Sequence, residues 1–209
     1  MFTGIVQAKC QIESIDLTQG LMTIAIILPK SLRGDVNLGA SIAVDGVCLT
    51  VTSYDSSSGL VTFDIMQETL NLTSLSILKK GAWVNVERSA KANAEIGGHN
   101  VSGHIDSTAK VSRIEKTENN LRVTYQFSSV LAKYLFKKGF VALNGCSLTI
   151  ADIDYANNEL TVSYIPETLK ISTHGEKIVG DVINIEVDRQ TQAIVDTVER
   201  VLAQREAIQ

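Results

Sequence analysis

Seven residues, Asp45-Gly46-Val47-Cys48-Leu49-Thr50-Val51, return 99 positions later as Asn144-Gly145-Cys146-Ser147-Leu148-Thr149-Ile150. The same offset carries Glu68-Thr69-Leu70 onto Glu167-Thr168-Leu169, Gly81 onto Gly180, Asn85 onto Asn184, Glu87 onto Glu186, and Gly4-Ile5-Val6 onto Gly103-His104-Ile105. Unrelated halves would scatter such matches over many offsets, so one shared register means a duplicated unit. The chain of 209 residues therefore divides into homologous domains over 1–95 and 96–188, followed by a tail over 189–209. A domain of about 100 residues buries only some 65% of its unfolded surface, so contacts between halves or between chains are expected to supplement each core.

Within each half, polar and apolar residues alternate over short stretches. Trp83-Val84-Asn85-Val86-Glu87 and Val182-Ile183-Asn184-Ile185-Glu186 have the period of two that marks a half-buried strand. Turn-prone clusters at Asp55-Ser56-Ser57-Ser58-Gly59 and Tyr155-Ala156-Asn157-Asn158 punctuate them at the spacing of a small antiparallel barrel or sandwich. The run from Leu21 to Leu28 stops at Pro29 and is less than half a bilayer crossing, so it reads as a buried strand. Pro29 to Gly34 and Ser128 to Phe136 occupy corresponding places and suit short helices, the second with Ser128 or Ser129 as N-cap. From Thr191 the pattern changes: Ile194, Val195, Val198, Val201 and Leu202 form one helical stripe, suited to self-association.

Composition narrows the functional classes. With 44% hydrophobic residues and 2 prolines the chain should fold throughout. Nineteen basic against 23 acidic side chains offer no field for a nucleic-acid backbone. No basic, apolar leader opens the chain, which makes a cytoplasmic location the expectation. Cys10, Cys48 and Cys146 are odd in number and widely spaced, against both a disulfide framework and a structural zinc. His99 and His104 stand five residues apart, which suits neither strand nor helix for a shared metal, and His174 has no ligand companion. Gly97-Gly98-His99 and Gly103 lack the strand, G-x-G-x-x-G and helix order of a dinucleotide site and any P-loop pattern.

Candidate chemistry gathers on the repeated block. Cys48 in one half stands where Ser147 stands in the other, each two residues before a threonine, Thr50 or Thr149. Either block alone is equally well read as a turn satisfying its own backbone. Duplication favours paired binding sites for a ligand rich in amide-like donors and acceptors.

These blocks, with Met1-Phe2-Thr3-Gly4-Ile5-Val6-Gln7, Phe63 to Leu70, Glu95-Ile96-Gly97-Gly98-His99, Ser102 to Ile105, Ile165 to Leu169 and Val195 to Leu202, resemble riboflavin synthase of the α-type from Met1 to about Ala203. The resemblance implies an all-β chain: two tandem six-stranded Greek-key barrels and a C-terminal helix that assembles a homotrimer. It implies that each barrel binds 6,7-dimethyl-8-ribityllumazine, and that a four-carbon unit passes between two such molecules to give riboflavin and 5-amino-6-ribitylamino-2,4(1H,3H)-pyrimidinedione, without cofactor or metal. Its catalytic positions fall on Cys48, His104, Ser147 and Asp188. Its N-terminal pocket falls on Gly4, Ile5, Val6, Ser41, Cys48, Leu49, Thr50 and the segment Asp64, Ile65, Met66, Gln67, Glu68, Thr69. Its C-terminal pocket falls on Gly103, His104, Ile105, Lys138, Ser147, Leu148, Thr149 and the segment Ser163, Tyr164, Ile165, Pro166, Glu167, Thr168. Asp45 and Asn144 depart from the family, in which the acid more often belongs to the second block. The rival expectation is a non-catalytic lumazine or flavin antenna protein, disfavoured because both halves keep their motifs and the helix is intact.

Overall fold

The computed structural model describes residues 1–93, 95–116 and 120–207. Its alternating segments become β1 (Ala8–Thr18), β2 (Leu21–Ile27), β3 (Ser41–Val44), β4 (Val47–Asp55), β5 (Leu60–Met66) and β6 (Trp83–Arg88). They close into an antiparallel barrel in the order β1-β2-β5-β4-β3-β6, with β6 returning to β1. The second half gives β7 (Ser107–Lys116), β8 (Leu121–Gln126), β9 (Phe140–Leu143), β10 (Cys146–Asp154), β11 (Glu159–Tyr164) and β12 (Val182–Val187), closed with the same Greek-key connectivity. Closure removes the sheet edges that a small antiparallel domain would otherwise expose. The register slips between Ile12 and Ser14 and between Val51 and Ser53, and again at Val111/Arg113 and Ile150/Asp152. A bulge bends a strand, and these four let long strands turn a barrel corner at equivalent places.

Two short helices were not apparent from periodicity: α1 (Gln67–Leu72) after β5 and α2 (Pro166–Ile171) after β11. The helices expected near residues 30 and 130 are 3-10 turns, Lys30–Leu32 and Ser129–Tyr134, and the Ser128 side chain makes no capping bond. The tail forms α3 (Arg189–Glu206), opening on Asp188, whose carboxylate accepts from Gln190 N at 3.4 Å and Thr191 N at 3.0 Å. Among the described residues, no helix is long and apolar enough to cross a membrane.

Inward-facing side chains fill each barrel: Ile24, Ile26, Val61, Phe63 and Leu75 in the first, Val111, Tyr125, Leu160, Val162 and Tyr164 in the second. The cores differ in polarity. Ile26, Ile65 and Leu75 correspond to Tyr125, Tyr164 and His174. His174 Nε2–H donates to the Leu143 carbonyl at 3.0 Å, which leaves Nδ1 to accept from the Tyr164 hydroxyl at 3.0 Å. The two tyrosine hydroxyls meet at 2.7 Å. Burial pushes the His174 pKa down to about 4, so this internal network holds a neutral imidazole.

The barrels meet about a pseudo-twofold axis. Phe2 pairs with Val101, its own equivalent, as Phe2 N donates to Val101 O at 2.8 Å and Val101 N returns to Phe2 O at 3.1 Å. On β6, Val84 and Val86 enter the core while Asn85 and Glu87 point the other way, toward the second half. Asn85 Nδ2 donates to Asn144 O at 3.0 Å, and Asn184 Nδ2 to Asp45 O at 2.8 Å. Thr173 N donates to Asn85 Oδ1 and Ser74 N to Asn184 Oδ1, both at 2.7 Å. The side-chain amides of Asn85 and Asn184, both buried in this interface, are thus satisfied as a reciprocal pair.

Candidate active sites

Each barrel presents a pocket beside its repeated block, and the other half's leading segment completes it. In the second barrel, Ser147 at the start of β10 shares a cavity of about 520 Å³ with Glu167, Thr168, Lys170 and Ile171 of α2 and with Gly4, Ile5 and Val6. In the first, Cys48 and Val47 line a pocket of about 190 Å³ with Glu68, Thr69 and Leu72 of α1 and with Gly103, His104 and Ile105. Backbone bonds anchor both crossings: Ser147 N donates to Gly4 O at 2.7 Å and Cys48 N to Gly103 O at 2.9 Å. Val6 packs in the second core and Ile105 in the first.

This arrangement corrects the partition expected from sequence. Gly4-Ile5-Val6 lies with Ser147 rather than Cys48, and Gly103-His104-Ile105 with Cys48 rather than Ser147. A second correction follows from strand alternation. Leu49, Ile65, Leu148 and Tyr164 turn their side chains into the barrel interiors, leaving only backbone to offer a ligand there. The Tyr164 hydroxyl is engaged with Tyr125 and His174. Asp64 is exposed on β5, where it accepts from the Thr23 hydroxyl at 2.7 Å. Ser41 pairs across the sheet with Thr50, and Thr149 with Phe140. Met66, Gln67, Ile165 and Pro166 are exposed at the starts of α1 and α2, and Ser163 is exposed on β11. Lys138 is exposed in a left-handed turn with φ of 70°, at the position equivalent to Gly39.

The two sites differ chemically. His99, in the connection between barrels, places Nδ1 2.6 Å from Ser147 Oγ and stacks on Phe140 with ring centroids 5.2 Å apart. Its own backbone N–H is held by the Thr3 carbonyl at 3.2 Å. A Cβ on Gly98 would lie 2.2 Å from that carbonyl oxygen and 2.8 Å from Ser147 Cβ, so glycine is required for the histidine to come this close. Burial pushes the His99 pKa below its ordinary value, and the Asp188 charge pulls the other way. The Asp188 carboxyl is pushed up by burial, but the hydrogen bonds from Thr191 and Gln190 outweigh this and hold it below its ordinary value. Ser147 Oγ and His99 Nδ1 thus share one short hydrogen bond beside the charge of ionised Asp188.

At the first site no histidine faces Cys48 in this way, because subtracting the repeat offset from 99 leaves no residue. His104 is exposed at the rim, its N–H donating to Ser102 Oγ at 3.2 Å and its carbonyl accepting from Arg189. Cys48 is half-buried, whereas Cys10 and Cys146 are buried and their thiols pushed up to about 11 and about 12 by desolvation. His99 was missed as a site residue because it has no partner in the repeat. Its signal was the glycine pair before it, a close-approach feature.

Comparison with known proteins agrees with the duplicated pocket. A family model described as the lumazine binding domain matches twice, at residues 3–89 and 102–188. The riboflavin synthase of Escherichia coli (strain K12) is 48% identical over 207 residues, covering 99% of this chain and 95% of that protein. The chain belongs to the riboflavin synthase family. A more distant synthase, from Bacillus subtilis (strain 168), is 42% identical over 188 residues, 90% of this chain and 85% of that one. Among solved structures, LumP complexed with riboflavin superposes with a TM-score of 0.83 at 26% identity, covering 90% of this chain and all of that one. LumP complexed with 6,7-dimethyl-8-(1'-D-ribityl) lumazine gives 0.81 at the same identity. For a riboflavin synthase family member, the Asp45/Asn144 exchange is a matter of bracing. Asp45 Oδ1 accepts from Asn85 N at 2.8 Å, and Asn144 Oδ1 from Asn184 N at 2.7 Å, both buried away from either pocket.

Proposed function

We propose that this chain is a riboflavin synthase that binds one 6,7-dimethyl-8-ribityllumazine in each of its two pockets and moves a four-carbon unit from one to the other. The products are riboflavin and 5-amino-6-ribitylamino-2,4(1H,3H)-pyrimidinedione. Together they contain every atom of the two substrates, so the exchange needs no oxidant, reductant or cofactor. The observation that carries this reading is one pocket design built twice with different polar groups, Ser147 with His99 in one and Cys48 with His104 in the other.

Residue roles follow from that difference. Ser147, its proton taken by His99, adds to C7 of the lumazine in its pocket, or orients a water that does so. Asp188 stabilises the imidazolium that results. His104 and Cys48 meet the ring of the second lumazine, His104 as proton carrier for its C7 methyl. Holding two rings face to face supplies much of the acceleration, since positioning a reactive pair lowers a barrier by up to about 7–11 kcal/mol. The two pockets of a single chain open at different barrels, so the facing pair is assembled between neighbours in a homotrimer built on α3. Ile194, Val198, Val201 and Leu202 are exposed along one side of that helix, which supports this. Location in the cytoplasm completes the reading.

Purified protein mixed with the lumazine alone should yield riboflavin and the pyrimidinedione in equal amounts by chromatography. Ser147→Ala and His104→Ala should abolish or greatly slow both. Tight binding of unchanged lumazine by the wild-type chain would instead indicate an antenna-type carrier.

A further inference from the structure

Two buried glutamates stand outside the chemistry just described, and each touches the segment that crosses between barrels. Glu87 on β6 is 4% exposed. Its Oε1 accepts from Thr3 N at 2.7 Å and Thr3 Oγ1 at 2.8 Å, and its Oε2 from Gly4 N at 3.1 Å. Glu186 on β12 is 1% exposed and repeats the pattern, with Ser102 N and Oγ both at 2.7 Å and Gly103 N at 2.9 Å. The held residues go straight on to the pockets: Gly4 O accepts from Ser147 N, and Gly103 O from Cys48 N. One residue, Gly4 or Gly103, thus connects each carboxylate to the backbone of the opposite barrel's reactive residue.

A carboxylate is a costly group to bury unless its oxygens are fully engaged. Neither barrel needs one here for its own ladder, since both glutamates point away from their own cores, beside Asn85 and Asn184 on the interface face. What the carboxylate does, and an apolar residue would not, is gather two successive backbone N–H groups and a hydroxyl into one fixed geometry. We propose that Glu87 is a positioning residue for the pocket around Ser147 and Glu186 for the pocket around Cys48, so that each barrel holds one wall of the other barrel's ligand site. The inference rests on the reading of both pockets as lumazine sites. Glu186 has one further neighbour, Arg189 Nε at 3.6 Å, whose counterpart beside Glu87 is Ala90. The wall around Cys48 is therefore also tied to the start of α3.

The crossing makes the test specific, because a glutamate that merely stabilised its own barrel would affect its own barrel's pocket. Cys48 is half-buried while Cys10 and Cys146 are buried, so alkylation by iodoacetamide followed by peptide mass spectrometry reads the first barrel's pocket. In wild type, 6,7-dimethyl-8-ribityllumazine should protect Cys48. Glu186→Gln should raise the concentration for half-protection by roughly tenfold, the worth of one charge-assisted hydrogen bond. Glu87→Gln, although it lies in the same barrel as Cys48, should leave that concentration within about twofold. Ser102→Ala and Thr3→Ala, which trim one donor and keep the carboxylates, should divide the same way if a glutamine variant fails to fold. Equal shifts from both members of either pair, or a shift confined to Glu87→Gln, would overturn the proposal. Protection in wild type with no shift in Glu186→Gln sinks the clamp alone. No protection in wild type at saturating lumazine sinks the ligand-site reading and the clamp with it.

Discussion

Ser147 and His99 come within 2.6 Å because a loop, not a strand, delivers the histidine. Burial lowers its pKa and Asp188 raises it, so the neutral base persists below pH 6.5 and is lost as pH falls through a lowered value. Asp188→Asn keeps an N-cap for α3 but removes the charge, and should move the acid limb of the kcat/KM profile to lower pH. An unmoved limb would mean that His99 is not the base. Asp45 makes the opposite case. Burial raises its pKa to about 6, so its folded value lies above its unfolded one. The protonated form is favoured in the fold, and stability is lost as pH rises from about 4 through 6. Asp45→Asn, which copies Asn144, should flatten that dependence and stabilise the chain at pH 8 by on the order of 2–3 kcal/mol in urea titrations. The repeated block made Cys48, Ser147, Thr50 and Thr149 visible in the sequence. It hid His99, which lies outside the repeat.

At the scale of elements, the strands and the tail helix were legible because alternation and a helical stripe each leave several periods in the chain. α1 and α2, at six residues each, are too short for a helical period to emerge, yet they supply Glu68, Thr69, Glu167 and Thr168 to the pockets. For α3 the sequence showed a stripe but not its direction. The Tyr134 hydroxyl donates to Asp196 at 2.5 Å, and Lys133 reaches Asp196 and Glu199, pinning the helix to the second barrel. Of the apolar stripe, Val195 packs on that core while Ile194, Val198, Val201 and Leu202 stay exposed. Val198→Asp should therefore leave the fold intact and convert the proposed trimer to monomers in light scattering. Turnover should then fall by roughly two orders of magnitude or more while riboflavin binding persists, since the pockets remain but the facing pair proposed between neighbours is lost.

The whole molecule depends on how closely the halves approach. Gly46 and Gly145 meet on the pseudo-twofold axis, and a Cβ on Gly46 would lie 2.5 Å from Gly145 N. With φ of 80° besides, Gly46→Ala should cost about 2–5 kcal/mol in urea denaturation. Gly20→Ala, with a similar φ of 76° but open space around it, should cost only about 1–2 kcal/mol. Similar losses at the two positions would mean that the interface yields to a methyl group. Duplication, barrel-forming alternation, the reactive block and the amphipathic tail were all determined by the sequence, because each is a matter of order or period along one chain. Which barrel a crossing segment completes was decided only by the tertiary structure. A repeat offset is the same whether equivalent segments pack at home or are exchanged. The exchange is selected by the Phe2–Val101 pairing, the glycine contact and the bonds from Ser147 N to Gly4 O and from Cys48 N to Gly103 O, all of which join residues from opposite halves, while buried Glu87 and Glu186 hold each crossing segment from its own half.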